Sequence, residues 1–153
     1  MKLLFDASAL LNIVRMLGAD ALEYLRGCYV LTLTPYEVGN GLWKEATLLR
    51  VISVDEALAL VRYVSRVYGV VEFLEPRDWV SVLRLACELR ITYYDSAYVV
   101  AAVENGLALV TDDEKLFRRI DQRKKDIARL LGGEPTCMRT SDLVSAGVGA
   151  AEG

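Results

Sequence analysis

Four short apolar runs, each set between stretches of helical spacing, constrain the fold of this chain more than any other feature of its sequence. Residues 2–5, 29–33, 70–74 and 107–110 are too short for helices and mainly apolar. The first, ended by Asp6, has the pattern of a strand buried on both sides of a sheet. A fifth strand is expected near residues 135–139. Between them, Ser8 is placed to cap a helix over 8–17, with Ala9, Leu10, Ile13 and Leu17 on one side. A short helix follows over 20–26. Thr34-Pro35 opens a helix to about residue 49 that should bury Val38, Leu42, Ala46 and Leu49. Another covers 54–68, stopped by Gly69. Pro76 opens a helix to about residue 89 with Val80, Leu83 and Ala86 inward, and Asp95 begins one that Gly106 ends. The middle of that last helix, residues 99–103, is apolar all round and therefore central. A short helix is expected over 113–119. Strands alternating with helices mean an α/β fold, a central five-stranded parallel sheet flanked by helices on both faces. One domain should occupy 1–143, with 144–153 as a disordered tail.

The chain has 153 residues, and 54% of them are hydrophobic, with a mean hydropathy of +0.28. Even with Gly counted in place of Tyr, the share stays above the roughly 45–50% of soluble domains. A chain this small and apolar is expected to hide surface against a second copy or a partner. No run reaches the ~18 apolar residues of a membrane span. Asp6 interrupts the first apolar run too early for a signal peptide, so a soluble, cytoplasmic protein is expected. Cys28, Cys87 and Cys137 have no paired spacing, and the first two sit in apolar surroundings, as free buried thiols do.

There is no histidine. That removes Ser–His and Cys–His nucleophile pairs, histidine acid–base chemistry and ordinary His-rich zinc sites. Hydrolysis, if any, falls to carboxylates, lysine, tyrosine or a carboxylate-bound metal. The net charge of −3 argues against a generally basic nucleic-acid binder. Setting four acids aside turns −3 into +1, so the acidity can be concentrated in one place.

In open parallel sheets, sites lie beyond the carboxyl ends of the strands. Asp6 follows the first strand directly, and Asp112 and Asp113 follow the fourth. Asp95 starts the helix feeding that fourth strand, and Glu37 sits in the first turn of the helix after the second. Singly, each reads as a helix cap or a partner of the helix dipole. Together they repel one another unless a cation joins them. An all-oxygen set without His or Cys suits Mg²⁺ or Mn²⁺, and two such ions would offset four charges. A carboxylate site of this kind can polarise water and clamp a phosphodiester.

Phe5-Asp6-Ala7-Ser8-Ala9-Leu10 resembles the first motif of PIN-domain nucleases, an Asp and a Ser after the first strand. The run from Thr34 through Glu37 and Asn40 to Lys44 looks like their second. Tyr93-Tyr94-Asp95-Ser96-Ala97-Tyr98 is similar to the third, and Val110-Thr111-Asp112-Asp113 to the fourth. The four occur in order across residues 2–143, and the chain looks most like the VapC-type toxins. The resemblance implies a PIN-like three-layer fold and a Mg²⁺- or Mn²⁺-dependent endoribonuclease that leaves 5′-phosphate and 3′-hydroxyl ends. It also implies a homodimer and a small antitoxin as partner. By motif position Asp6, Glu37 and Asp95 would be the principal metal ligands and catalytic residues. The pattern Thr-x-Asp puts the fourth on Asp113, with Asp112 as its variable neighbour, although the turn could present either. The charge-rich 120–134 region departs from the family pattern.

Asn40 and Lys44 share a helix face with Glu37, as substrate contacts or as a solvated face. Ser8 and Thr111 either orient Asp6 and Asp113 or cap helices. Tyr93 and Tyr94 either stack on unpaired bases or pack in the core. Lys115, Arg118, Arg119, Arg123, Lys124, Lys125 and Arg129 either track RNA phosphates or form a solvated face balanced by Asp121 and Asp126. Two readings outside this enzyme class remain. A non-catalytic PIN-like module that only holds RNA or protein would ordinarily lose an acid, and this chain keeps all four. A phosphatase with Asp6 as nucleophile would need an acid where Ser8 stands, and no Gly-rich phosphate loop follows any strand.

Overall fold

The apolar runs pair as a parallel sheet. In the computed structural model, which describes residues 1–147, the strands are β1 (Leu3–Phe5), β2 (Tyr29–Leu31), β3 (Glu72–Leu74), β4 (Ala108–Val110) and β5 (Thr136–Met138). They lie in the order β3-β2-β1-β4-β5, each parallel to its neighbours. The central pair is in register Leu3↔Ala108, Leu4↔Leu109 and Phe5↔Val110, and all six residues are buried. Alternation along β1 sends Leu3 and Phe5 into one core and Leu4 into the other. A strand that must satisfy two cores has no polar position, which explains its unbroken apolar run.

The helices are α1 (Ala7–Leu17), α2 (Ala21–Tyr24), α3 (Thr34–Thr47), α4 (Val54–Val67), α5 (Trp79–Leu89), α6 (Tyr93–Asn105), α7 (Glu114–Gln122), α8 (Lys124–Leu131) and α9 (Thr140–Ala146). One core collects α1, α3, α4 and α9 through Leu10, Ile13, Val38, Leu42, Val64 and Leu143. The other collects α5 to α8 through Leu85, Leu89, Val99, Val100, Leu116, Ile120 and Ile127. The apolar middle of α6 is central, as expected, and its Ser96 hydroxyl is satisfied by donating to Val82 O at 2.6 Å. The charge-rich 120–134 stretch contains α8, whose Ile127 reaches the core.

Several expectations are corrected. Asp6, not Ser8, caps α1, and α3 starts with Leu33 at its cap and Thr34 inside. Thr92 caps α6, so Asp95 lies in its first turn instead of opening it. α3 ends at Thr47, Leu49 is exposed and Ala46 is only half-buried. α5 begins after Asp78, which caps it, and its inner face is Val82, Leu85, Ala86 and Leu89. Val80 and Leu83 are 66% and 57% exposed. Both sets have helical spacing, and packing against α6 chose between them. Cys28 is buried but Cys87 is exposed. α9 continues to Ala146, past the expected boundary at 143, and the remaining expected tail, 148–153, lies outside the described residues. Among the described residues no helix is long and apolar enough to cross a membrane.

One buried group is left without a bond. Among the described residues, the Tyr24 hydroxyl is the buried side-chain polar atom with no hydrogen-bond partner. A buried orphan hydroxyl costs about 1 kcal/mol or more. Tyr24→Phe is therefore expected to raise the urea midpoint, by about 1 kcal/mol of stability. An unchanged or lower midpoint would show that the hydroxyl is solvated or bonded in solution.

Candidate active site

β1, β2 and β4 end at one edge of the sheet; the segments leaving them carry Asp6, Glu37 and Asp113, and the first turn of α6 carries Asp95. Asp6 follows Phe5 and is fixed there by its backbone N–H, which donates to Val110 O at 3.1 Å. Its Oδ1 accepts from Ser8 Oγ at 2.7 Å and Ala9 N at 2.9 Å. Asp113 caps α7 through Oδ1, which accepts from Leu116 N at 3.0 Å. Thr111, fully buried, ties the two together: its Oγ1 accepts from Asp113 N at 3.1 Å, and the hydroxyl also bonds Asp6. Ser8 and Thr111 thus both contact the Asp6 carboxylate, and Thr111 also meets the Asp113 backbone.

Glu37 is held from below. Its Oε1 accepts from the Tyr98 hydroxyl at 2.7 Å, and Tyr98 lies 2.7 Å from Thr34 Oγ1, which accepts from Leu31 N at 3.0 Å. The Tyr98 proton is committed to Glu37, so the Thr34 hydroxyl donates to Tyr98. The relay runs from the end of β2 through two hydroxyls to the carboxylate, each bond polarising the next. Tyr98 is almost fully buried in α6. Its importance was hidden in the sequence, because a tyrosine in an apolar helix reads as core.

Asp6, Glu37, Asp95 and Asp113 line one cavity of about 260 Å³, with Ala7, Ser8, Asn40, Gly41, Lys44 and Tyr98. Asn40 and Lys44 therefore face the acids and not open solvent alone. Asp112 does not line it. Its Oδ1 accepts from Thr140 N at 2.9 Å, and its Oδ2 from Thr140 Oγ1 at 2.6 Å and Asn12 Nδ2 at 2.7 Å. Its backbone N–H donates to Ser8 Oγ at 3.1 Å. Asp112 is a tether between β4, α1 and α9, and Asn12 and Thr140 are tether partners that the sequence did not disclose.

Asp6, Glu37 and Asp95 resist ionising. Burial pushes Asp6 up, against the hydrogen bonds from Thr111, Ala9 and Ser8, and the charge of Asp112 adds to the rise. Burial also raises Glu37, opposed by the Tyr98 bond and assisted by Asp6. Asp95 is pushed up to about 6, first by burial, then by Asp113, with Asp6 and Glu37 contributing. The ion pairs among the described residues lie elsewhere, as Arg15–Glu45, Arg123–Asp126 and Arg139–Glu114. Four carboxylates facing one cavity, with Lys44 the one cation in its described lining, form a site that lacks positive charge. The all-oxygen donors fit a hard divalent ion. Among the described residues no three are already gathered as a coordination cage. Mg²⁺ tolerates this, since it commonly takes one or two carboxylates and keeps several waters.

A second cavity of about 600 Å³ shares Asp95 and Asp113 and is lined by Arg90, Lys115, Arg118, Arg119 and Gln122. The basic stretch thus divides. Arg123 and Arg129 pair with Asp126 and Glu88, and Lys124 with Asp121, as the solvated-face reading had it. Lys115, Arg118 and Arg119 face the groove. Tyr93 and Tyr94 are exposed, so the core reading of them fails.

The model of the PIN-domain family matches residues 3–123. The chain belongs to the PIN-domain family. Among relatives of this PIN-domain protein, Exonuclease VapC9 of Pyrobaculum aerophilum is 41% identical over 90 residues, 59% of this chain and 65% of that protein. The match therefore spans just under two thirds of that relative's length. Ribonuclease VapC3 of the same organism is 34% identical over 130 residues, 78% of this chain and 95% of that protein. Among solved structures, PAE2754 of Pyrobaculum aerophilum superposes with a TM-score of 0.73 at 29% identity, covering 95% of this chain and 94% of that one. VapBC-1 of Haemophilus influenzae, at 14% identity and a TM-score of 0.55, covers 92% of this chain and 99% of that one, and shares the fold.

Proposed function

We propose that this PIN-domain protein is a divalent-metal-dependent endoribonuclease, with Asp6, Glu37, Asp95 and Asp113 as its metal-holding and catalytic residues. The observation that carries the reading is their convergence. Two acids from strand-end turns, Asp6 and Asp113, and two from first helical turns, Glu37 and Asp95, face one cavity at the carboxyl edge of the sheet, with Lys44 the one cation in its described lining. Relatives named as nucleases support it.

Bound Mg²⁺ or Mn²⁺ would supply a polarised water and an electrostatic clamp on the phosphodiester. The protein's own part is positioning. Ser8, Ala9 and Thr111 fix Asp6, Tyr98 fixes Glu37, and the α7 N-terminus fixes Asp113. Lys44 reaches the same cavity and neutralises phosphate charge there. Flanking phosphates lie in the basic cavity. Replacing Lys115 and Arg119 by Gln is expected to flatten the salt dependence of RNA binding, by about 0.7 in log–log slope per lost contact. An unchanged slope would remove those residues from the RNA path.

The toxin role, with a small antitoxin and a homodimer in the cytoplasm, goes with the VapC kinship. An apolar groove between α3 and α4, lined by Leu42, Trp43, Val54, Leu58 and Val61, offers surface for a partner. The deciding experiment titrates the protein with Mn²⁺ by calorimetry and then offers it a circular RNA. Heat of binding and opening of the circle are expected. Binding without cleavage leaves a non-catalytic module, and cleavage of linear RNA alone makes the protein an exonuclease.

A further inference from the structure

Each of the two helix-borne acids is preceded by a tyrosine: Tyr36-Glu37 in the first turn of α3 and Tyr94-Asp95 in the first turn of α6. Neither tyrosine is core. Tyr36 is 80% exposed and Tyr94 57% exposed, and among the described residues neither hydroxyl makes a hydrogen bond. Helical spacing places Asn40 one turn beyond Tyr36, on the same face. The side chains from the two helices enclose a cavity of about 290 Å³, lined by Leu33, Tyr36, Glu37, Asn40 and Tyr94. It falls just below the roughly 300–1,000 Å³ typical of drug-sized ligand pockets. It adjoins the acidic cavity, since Glu37 and Asn40 line both.

We infer that this cavity is a nucleobase subsite, which seats one unpaired base of the RNA beside the cut and gives the enzyme a base preference at that position. The inference rests on the nuclease reading for its substrate. Its own support is the chemistry of the lining. Exposed aromatic rings with no hydrogen-bond partner are stacking platforms for the faces of bases. The Asn40 amide offers a donor and an acceptor side by side, and its side chain makes no hydrogen bond among the described residues. A base edge presents the complementary pair. A phosphate is disfavoured there, because Glu37 is the charged group in the lining. An arginine from a protein partner would suit Glu37 and the rings, but a guanidinium has donors only and would leave the Asn40 amide N–H groups unmatched.

The three cavities then form one track. Shared Glu37 and Asn40 join the aromatic cavity to the acids, and shared Asp95 and Asp113 join the acids to the basic cavity. The read base lies on one side of the cleaved bond and the phosphate contacts on the other. Base preference should therefore occupy one fixed position and not both flanks.

The test uses single-stranded 12-nucleotide RNAs carrying one abasic residue at each position in turn, cleaved by the wild type, Tyr94→Ala, Tyr94→Phe and Asn40→Ala. Wild-type kcat/KM is expected to fall about 10-fold when the abasic residue occupies one position next to the cut, and little elsewhere. Tyr94→Ala should lose a similar factor on intact RNA, mainly through KM, and lose nothing more on the abasic one. Tyr94→Phe keeps the ring and should keep the rate. Asn40→Ala should even out cleavage among the four bases at that position. Tolerance of the abasic residue everywhere by the wild type, or losses that multiply in Tyr94→Ala, would overturn the subsite. If no RNA is cut at all, the nuclease reading fails separately. Anisotropy binding of intact and abasic RNA in EDTA then decides the subsite by the same comparison. Equal binding of both RNAs, with a Gly-Arg-Gly peptide held by the wild type and not by Tyr94→Ala, would assign the cavity to a protein side chain instead.

Discussion

Asp95→Asn is expected to lower metal-dependent RNA cleavage by about 10²–10³-fold or more, while making the metal-free protein more stable at neutral pH. The amide keeps the shape of the side chain but carries no charge, so the site loses a metal-holding oxygen and a quarter of its formal charge. Catalysis and stability pull in opposite directions here because Asp95 is a poor place for an anion. Its carboxyl is pushed up to about 6 by burial, by Asp113, and then by Asp6 and Glu37. Initial rates of RNA cleavage at saturating Mg²⁺ measure the first effect, and urea unfolding in EDTA measures the second. Unchanged cleavage would remove Asp95 from the chemistry.

The sign of the stability effect follows from proton binding. In the unfolded chain an Asp titrates near 3.9. Between about pH 4 and 6 the folded, metal-free protein holds more protons at this site than the unfolded chain, so stability falls as pH rises through that window. Asp6 and Glu37 are raised too and act in the same direction. With allowance for partial solvent contact, Asp95 alone costs about 1–2 kcal/mol at pH 7. The Asn variant should match the wild type near pH 4 and exceed it by that amount at pH 7. Added Mn²⁺ should close the gap, because it stabilises the wild type more.

The sheet could be read from the sequence because β1 and β4 serve two cores at once and so admit no polar residue. The face of α5 could not. Val80, Leu83 and Ala86 are spaced as well for burial as Val82, Leu85, Ala86 and Leu89, and only the position of α6 separates them. At the site, capping a helix and lining the acidic cavity are compatible. Asp113 spends Oδ1 on the α7 cap and leaves Oδ2 unbonded among the described residues, while the residue still lines the cavity. A sequence shows that such an acid can cap, but not what its second oxygen faces. Tyr98 was illegible for another reason. Its partner Glu37 is 61 positions away, and a local pattern carries no trace of a bond that long-range.

Asp112→Ala and Asp113→Ala should separate the adjacent acids, one failing in stability and the other in cleavage. Removing the Asp112 carboxylate strands three donors: Asn12 Nδ2, Thr140 N and Thr140 Oγ1. Thr140 is buried, so its groups cannot turn to water without opening the start of α9. The cost should be about 2–4 kcal/mol, since bonds to a charged acceptor contribute more than neutral ones and the losses are shared. Arg139 would hold α9 only in part, through Phe117, whose ring it covers at 3.9 Å, and through Glu114 at 2.9 Å. Asp113→Ala loses a single capping bond from Leu116 N, about 1 kcal/mol, yet should abolish cleavage. Asp112→Asn retains one acceptor oxygen and should fall between Asp112→Ala and the wild type. Urea unfolding and RNA cleavage on the same preparations decide the matter. An Asp112→Ala protein as stable as the wild type but inactive would transfer the fourth catalytic position from Asp113 to Asp112.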